Sequence, residues 1–177
     1  MACNPTVDSI PVAFTPSGGW TIWPPPVLAG CSEPRPPGAP DIDGYWRTVE
    51  VTVNGEIQPG HPNVGHVQRI EQRADRVVVT GGGIIHDMRC DGTSEGGVHD
   101  VAEFDKATVI NVIATYEHGV HVLRPENLPI EVRRHRVGDH LVWDYLGFTA
   151  RLELVALSDT DPGAIGNVSD IEFLRHG

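Results

Sequence analysis

From Asp43 onward the chain breaks into short runs of alternating apolar and polar residues, and each run stops at an explicit turn. Runs cover Tyr45–Val53, His66–Arg73, Arg76–Thr80, Gly83–Cys90, Val98–Phe104, Thr108–Tyr116, Val120–Arg124, Ile130–Arg136, His140–Tyr145 and Phe148–Ala156. The turns between them include Ala74-Asp75, Gly81-Gly82, Asp105-Lys106, His118-Gly119, Gly138-Asp139 and Leu146-Gly147. Short strands punctuated roughly every 8–12 residues predict an antiparallel meander, hence a sandwich or a barrel. No amphipathic helix of useful length interrupts them. Closing such a sheet removes its edges, and about eight to ten strands enclose room for a small ligand. The expected fold is all-β, a single antiparallel barrel of about eight to ten strands.

Residues 1–43 differ in kind. Ten of the chain's 15 prolines fall there, from Pro5 to Pro40. Proline fixes φ and removes a backbone donor, so neither a helix nor a central strand runs through this stretch. It also holds Phe14, Trp20, Ile22, Trp23, Val27 and Leu28, whereas disordered segments are poor in such residues. The chain therefore divides into a Pro-rich arm over 1–43, a barrel over 44–156 and a tail over 157–177. The arm is expected to pack on its own barrel, to cover the cavity mouth, or to dock on a second copy as a homodimer contact.

Strand alternation sorts side chains by face. Ile84, His86, Met88 and Cys90 form one set, apolar except for His86, and should face inward. Leu141, Trp143 and Tyr145 should do the same, as should the set Phe148, Ala150, Leu152 and Leu154. Thr108–Tyr116 is apolar on both faces and is expected to lie beneath the arm. The His86-Asp87 and His99-Asp100 doublets flank a turn rich in Gly, Asp, Ser and Thr. If Cys90 pairs with Gly97, His86 and His99 share the cavity. A slip of one residue brings Asp100 to His86's face instead. The first register is preferred, because it places Ile85 with Val98 on the other face.

The opening Gly44-Tyr45-Trp46 of the first strand resembles the G-x-W of calycin barrels, the lipocalins and fatty-acid-binding proteins. The resemblance covers about Gly44–Ala156. It implies a lipocalin-like barrel whose base is closed by Trp46, with Arg151 of the last strand packed on that ring. The lipocalin T-D-Y motif, the two-helix lid and the nitrobindin glycine motif are absent. The resemblance therefore implies an architecture and a central cavity, with no specific ligand. Some bacterial barrels of this type are small enzymes.

His86 and His99, with Asp100, are the candidate catalytic groups, because imidazole exchanges protons near neutrality. Met88, Tyr116, His121, Trp143 and Tyr145 are candidate substrate-binding residues, and Arg124 is a candidate for gripping a carboxylate or enolate. The expected function is cofactor-independent acid-base catalysis of an isomerase, cyclase, lyase or hydratase type. The ligand would be a small hydrophobic or aromatic molecule. The alternative is a carrier for such a molecule.

A net charge of −11 and a pI near 5.1 argue against nucleic acid or an anionic membrane as the main partner. Arg133-Arg134-His135-Arg136 is a local basic cluster, read as a solvated strand end. Cys3, Cys31 and Cys90 lack metal-type spacing, and no HxH or HExxH occurs, so no metal or organic cofactor is expected. Without a leader-like or membrane-length apolar run, the expected location is cytoplasmic.

Overall fold

The computed structural model describes residues 4–155. The 157–177 tail and Cys3 lie outside the described residues. The strands are Gly44–Val53 (β1), Glu56–Ile57 (β2), Val67–Arg73 (β3), Arg76–Gly81 (β4), Ile84–Arg89 (β5), Val98–Val101 (β6), Val109–Glu117 (β7), Val120–Pro125 (β8), Val132–Val137 (β9), His140–Tyr145 (β10) and Phe148–Leu154 (β11). Eleven strands, all antiparallel, make one sheet in the order β5-β4-β3-β1-β11-β10-β9-β8-β7-β6, with the short β2 attached to β1. The first and last strands of this path approach each other, so the sheet is a nearly closed barrel. Among the described residues there is no helix, and so none long and apolar enough to cross a membrane.

The ladders set the inward faces. Leu141, Trp143 and Tyr145 stand opposite Leu152, Ala150 and Phe148, and the buried members of these pairs join Val51, Ile70, Val77, Val79 and Met88 in the main core. Trp46 closes the base, fully buried, with Nε1 donating to the Ile42 carbonyl at 2.9 Å. Gly44 is required beside it: its φ is +139°, and an added Cβ would stand 2.6 Å from a Leu154 methyl. The cation on the Trp46 ring is Arg136 of β9, 5.2 Å from the centroid. Arg151 instead lies outside and faces Glu50 and Glu153. Arg151 pairs with Glu50 and Val142, the outward parity of β11, so it has no path to the base.

The arm covers β3, β4 and β5, not β7. Val7, Leu28 and Cys31 pack with Val78 and Ile85 in a second apolar cluster. This is why every residue of β4 is buried, while Val109 at the start of β7 is exposed. Lacking many N–H groups, the arm cannot join the sheet as a strand, so arginines take up its carbonyls instead. Arg76 donates to Val7, Ile10 and Pro11, Arg69 to Pro24 and Pro25, and Arg73 to Cys31. Glu71 accepts the Leu28 N–H at 2.7 Å. Burying Arg76 is tolerable because Asp87, also buried, accepts two of its hydrogen bonds.

Candidate functional site

β5 and β6 close the barrel without forming a ladder. At the base of the seam Arg89 N–H donates to the Gly96 carbonyl at 2.6 Å. Higher up, the His86 side chain bridges the strands, its Nε2 lying 2.8 Å from the Val101 carbonyl. The arm straps the outside of the seam. Thr15 N–H donates to Asp100 on one side, and its hydroxyl exchanges bonds with the Ile85 backbone on the other. Ala13 N–H donates to Asp87.

The preferred hairpin register does not form. Beyond the Arg89–Gly96 bond the strands separate, and β7 dictates how β6 sits. Val98 pairs with Val112 and faces the core, while His99 pairs with Asn111 and faces solvent. His99 bonds Asn111 Oδ1 and the Ser94 carbonyl, contacts that raise its pKa. The two imidazoles therefore do not share the cavity. Asp100 lies near enough for its charge to act on His86, yet its carboxylate accepts the N–H groups of Thr15 and Val101.

The barrel encloses a cavity of about 170 Å³. Its walls are mostly apolar, with Val79, Met88, Val98, Ile110, Val112 and Val132 among them. Strand directions put the turns after β6, β8 and β10 at the end opposite Trp46. Each of those turns sends one exposed apolar side chain to the cavity rim: Phe104, Leu128 and Leu146.

The polar lining is His66, Gln68, His86, Glu103, Arg134 and Tyr145. His66 Nε2 lies 3.5 Å from Glu103 Oε1. Arg134 is 5% exposed and its guanidinium stacks over Trp143 at 5.3 Å. Its Nε and Nη2 donate to the neutral amide oxygen of Gln68 at 3.3 and 3.2 Å. Its Nη1 is buried without a hydrogen-bond partner among the described residues. Burial lowers the Arg134 pKa to about 10, opposed by the Glu103 carboxylate, so the group stays cationic at neutral pH. Burial likewise raises the Tyr145 pKa and keeps its phenol protonated.

Burial lowers the pKa of His86, against the Val101 bond and the charge of Asp100. Because a carbonyl only accepts, Nε2 carries the proton and Nδ1 is the acceptor nitrogen.

Met88, Trp143 and Tyr145 line the cavity; the other substrate-binding candidates do not. Arg124 is at the surface, bonded to Glu117 and Glu131. It pairs with Ile113 on the outward parity of β8, and it holds the Glu117 carboxyl down at about 2. Tyr116 packs against the core and its hydroxyl accepts from Gln72 Nε2 at 2.9 Å. His121 is fully buried below the cavity, with both ring nitrogens unbonded among the described residues, and burial lowers its pKa to about 3. His86, His99 and His121 thus do not converge on a metal ion. Among the described residues no group of three or more His, Cys, Asp or Glu side chains is placed to hold one.

Four polar groups escaped the sequence reading: His66, Gln68, Glu103 and Arg134. For Arg134 a signal existed. Val132, Arg134 and Arg136 share one strand face, and Trp143 and Leu141 oppose Arg134 and Arg136 on the next strand. The basic cluster is therefore not a solvated strand end throughout: Arg133 points out, Arg134 into the cavity and Arg136 onto Trp46.

A second cavity, of about 450 Å³, lies between arm residues 7–14 and the β5–β6 seam. Met88 and Val98 line both cavities and form the partition between them.

Comparison of the chain with family models, curated proteins and solved structures finds no match in any of the three.

Proposed function

We propose that the barrel interior binds a small, largely apolar molecule carrying one acceptor oxygen, and that Arg134 Nη1 receives that oxygen. The carrying observation is a buried guanidinium that lines an apolar cavity and keeps its Nη1 amino group unpartnered among the described residues. An unsatisfied buried donor costs about 1–3 kcal/mol, more for a charged group, and a ligand oxygen offsets that cost. The volume of about 170 Å³ suits a single ring or a short branched chain, since an engineered apolar cavity of roughly 150 Å³ takes up benzene. The arm hydrogen-bonds to its own barrel through Asp87, Asp100 and Arg76, which supports a covering role. A calycin-like kinship is supported by Gly44-Tyr45-Trp46 and the cation-capped Trp46 at the base.

The test is a titration by protein NMR or Trp fluorescence with acetophenone and with ethylbenzene, in the wild type and in Arg134→Met. Acetophenone should bind at least tenfold more tightly than ethylbenzene to the wild type, and the difference should vanish in the variant. Equal preference in both proteins sinks the assignment.

A second reading, cofactor-independent acid-base catalysis, is favoured by His86, a neutral imidazole of fixed tautomer on the cavity wall.

A further inference from the structure

We infer that Glu103, positioned by His66, is a general base that moves a proton on a cyclic enolisable ketone whose carbonyl oxygen lies on Arg134. The inference rests on the binding reading above and adds a reaction to it. Glu103 lines the cavity and its side chain is 31% exposed, so it faces both ligand and solvent. His66, almost wholly buried, holds one of its carboxylate oxygens at 3.5 Å. The Glu103 carboxylate is close enough to act on the charge of Arg134 and on the phenol of Tyr145, so base and cation border the same space. A carboxylate and a buried guanidinium beside a ring-sized apolar cavity are the two groups that proton transfer next to a carbonyl needs.

The step balances without redox chemistry or a leaving group. On a β,γ-unsaturated ketone the Glu103 carboxylate takes a proton from the α-carbon. The C–H electron pair becomes a double bond between the α-carbon and the carbonyl carbon, giving a dienolate, and the carbonyl π pair moves onto oxygen. That oxygen accepts a hydrogen bond from Arg134 Nη1. Glu103 then returns the proton to the γ-carbon on the β,γ π pair, the enolate π pair shifts to the α,β position, and the oxygen pair re-forms the carbonyl of the conjugated enone. A buried cation stabilises the oxyanion more than it does the neutral carbonyl, which is what accelerates the step.

The experiment follows conversion of cyclohex-3-en-1-one into cyclohex-2-en-1-one by ultraviolet absorbance, with cyclohexanone affinity measured in parallel by NMR. The wild type should isomerise with saturation. Glu103→Gln should lose about 10²–10⁴-fold in rate while its cyclohexanone Kd stays within about threefold of the wild type. Glu103→Asp, which keeps a carboxylate beside His66, should recover part of the rate. His66→Gln should shift the acidic limb of the pH–rate profile, a readout that a merely structural ion pair would not move. If cyclohexanone binds in an Arg134-dependent way but no isomerisation occurs, or if Glu103→Gln keeps the full rate, the inference falls and the binding reading stands. If cyclohexanone does not bind the wild type, both fall.

Discussion

His86 Nε2 donates to the carbonyl of Val101 across 2.8 Å, joining two strands that share no ladder at that height. A single side chain thus does what main-chain pairing does elsewhere in the sheet. His86→Leu, near in volume, leaves the Val101 carbonyl short of a donor and should cost about 1–3 kcal/mol in urea unfolding. Backbone amides of β6 should also exchange hydrogen faster than those of β8. Unchanged exchange in β6 would show that the arm alone holds the seam.

Acid should loosen the barrel through His121. Its folded pKa, about 3, lies below the ordinary value, so the neutral form is the folded one. Its contribution is therefore fully present above the unfolded pKa of about 6.5 and is lost as pH falls toward the folded value. Within that window the loss approaches about 1.4 kcal/mol per pH unit. His86 is shifted the same way and adds to the loss. Unfolding midpoints measured at pH 7 and pH 5 should differ by less in His121→Leu than in the wild type. An identical difference in both proteins would remove His121 from the account.

The arm depends on the Arg76–Asp87 pair, both members of which are buried. Arg76→Met strands the Asp87 charge and removes the donor to the Ile10 and Pro11 carbonyls, Val7 keeping Arg89, and should cost about 3–5 kcal/mol. Replacing both members, as Arg76→Met with Asp87→Leu, removes the stranded charge and should be less damaging than the single change. Denaturant melts of the two variants decide the order.

Arg136 and Arg151 separate a packed arginine from a surface one. Arg136 stacks on Trp46 and donates to the Asp41 and Gly138 carbonyls. Among the described residues Arg151 makes only long, solvent-exposed ion pairs, at 3.7 and 3.8 Å. Arg136→Ala should cost about 1–2 kcal/mol through lost stacking and packing. Arg151→Ala should cost under about 1 kcal/mol. The reverse order in thermal melts would put the base-closing cation on the last strand.

Much of the barrel was legible residue by residue. The alternation of Leu141, Trp143 and Tyr145, and of Phe148, Ala150 and Leu152, is a property of a few consecutive residues, and these point inward, whereas Leu154, the next member of the second set, is exposed at the strand's end. Boundaries slipped where turn chemistry prevailed. The run expected to extend to Phe104 ends at Val101, because Asp105 caps the following turn through the N–H groups of Ala107 and Thr108. The two-residue β2 carries no periodic signal and is held only by Thr52 and Val53.

The cavity's chemistry was less legible. Met88, Trp143 and Tyr145 were named from alternation and do line it. Arg134 was passed over because a run of basic residues ordinarily marks a solvated strand end, and an arginine inside a barrel is costly in isolation. What makes it tolerable is Gln68, a residue 66 positions away that meets it only when β3 and β9 face each other across the interior. His66 and Glu103 come together in the same way.

The sequence by itself determined the class of structure: strand lengths, turns and the two-residue alternation are local, and they force an antiparallel meander with an arm that cannot join it. Which polar side chains share the interior was decided only by the tertiary structure. That choice depends on how the first and last strands of the sheet meet, and there His86 and the arm replace a ladder. Without the ladder, β6 takes its register from β7, turning His99 outward and leaving Arg134, His66, Glu103 and Tyr145 as the charged or titratable groups beside His86 in the cavity lining.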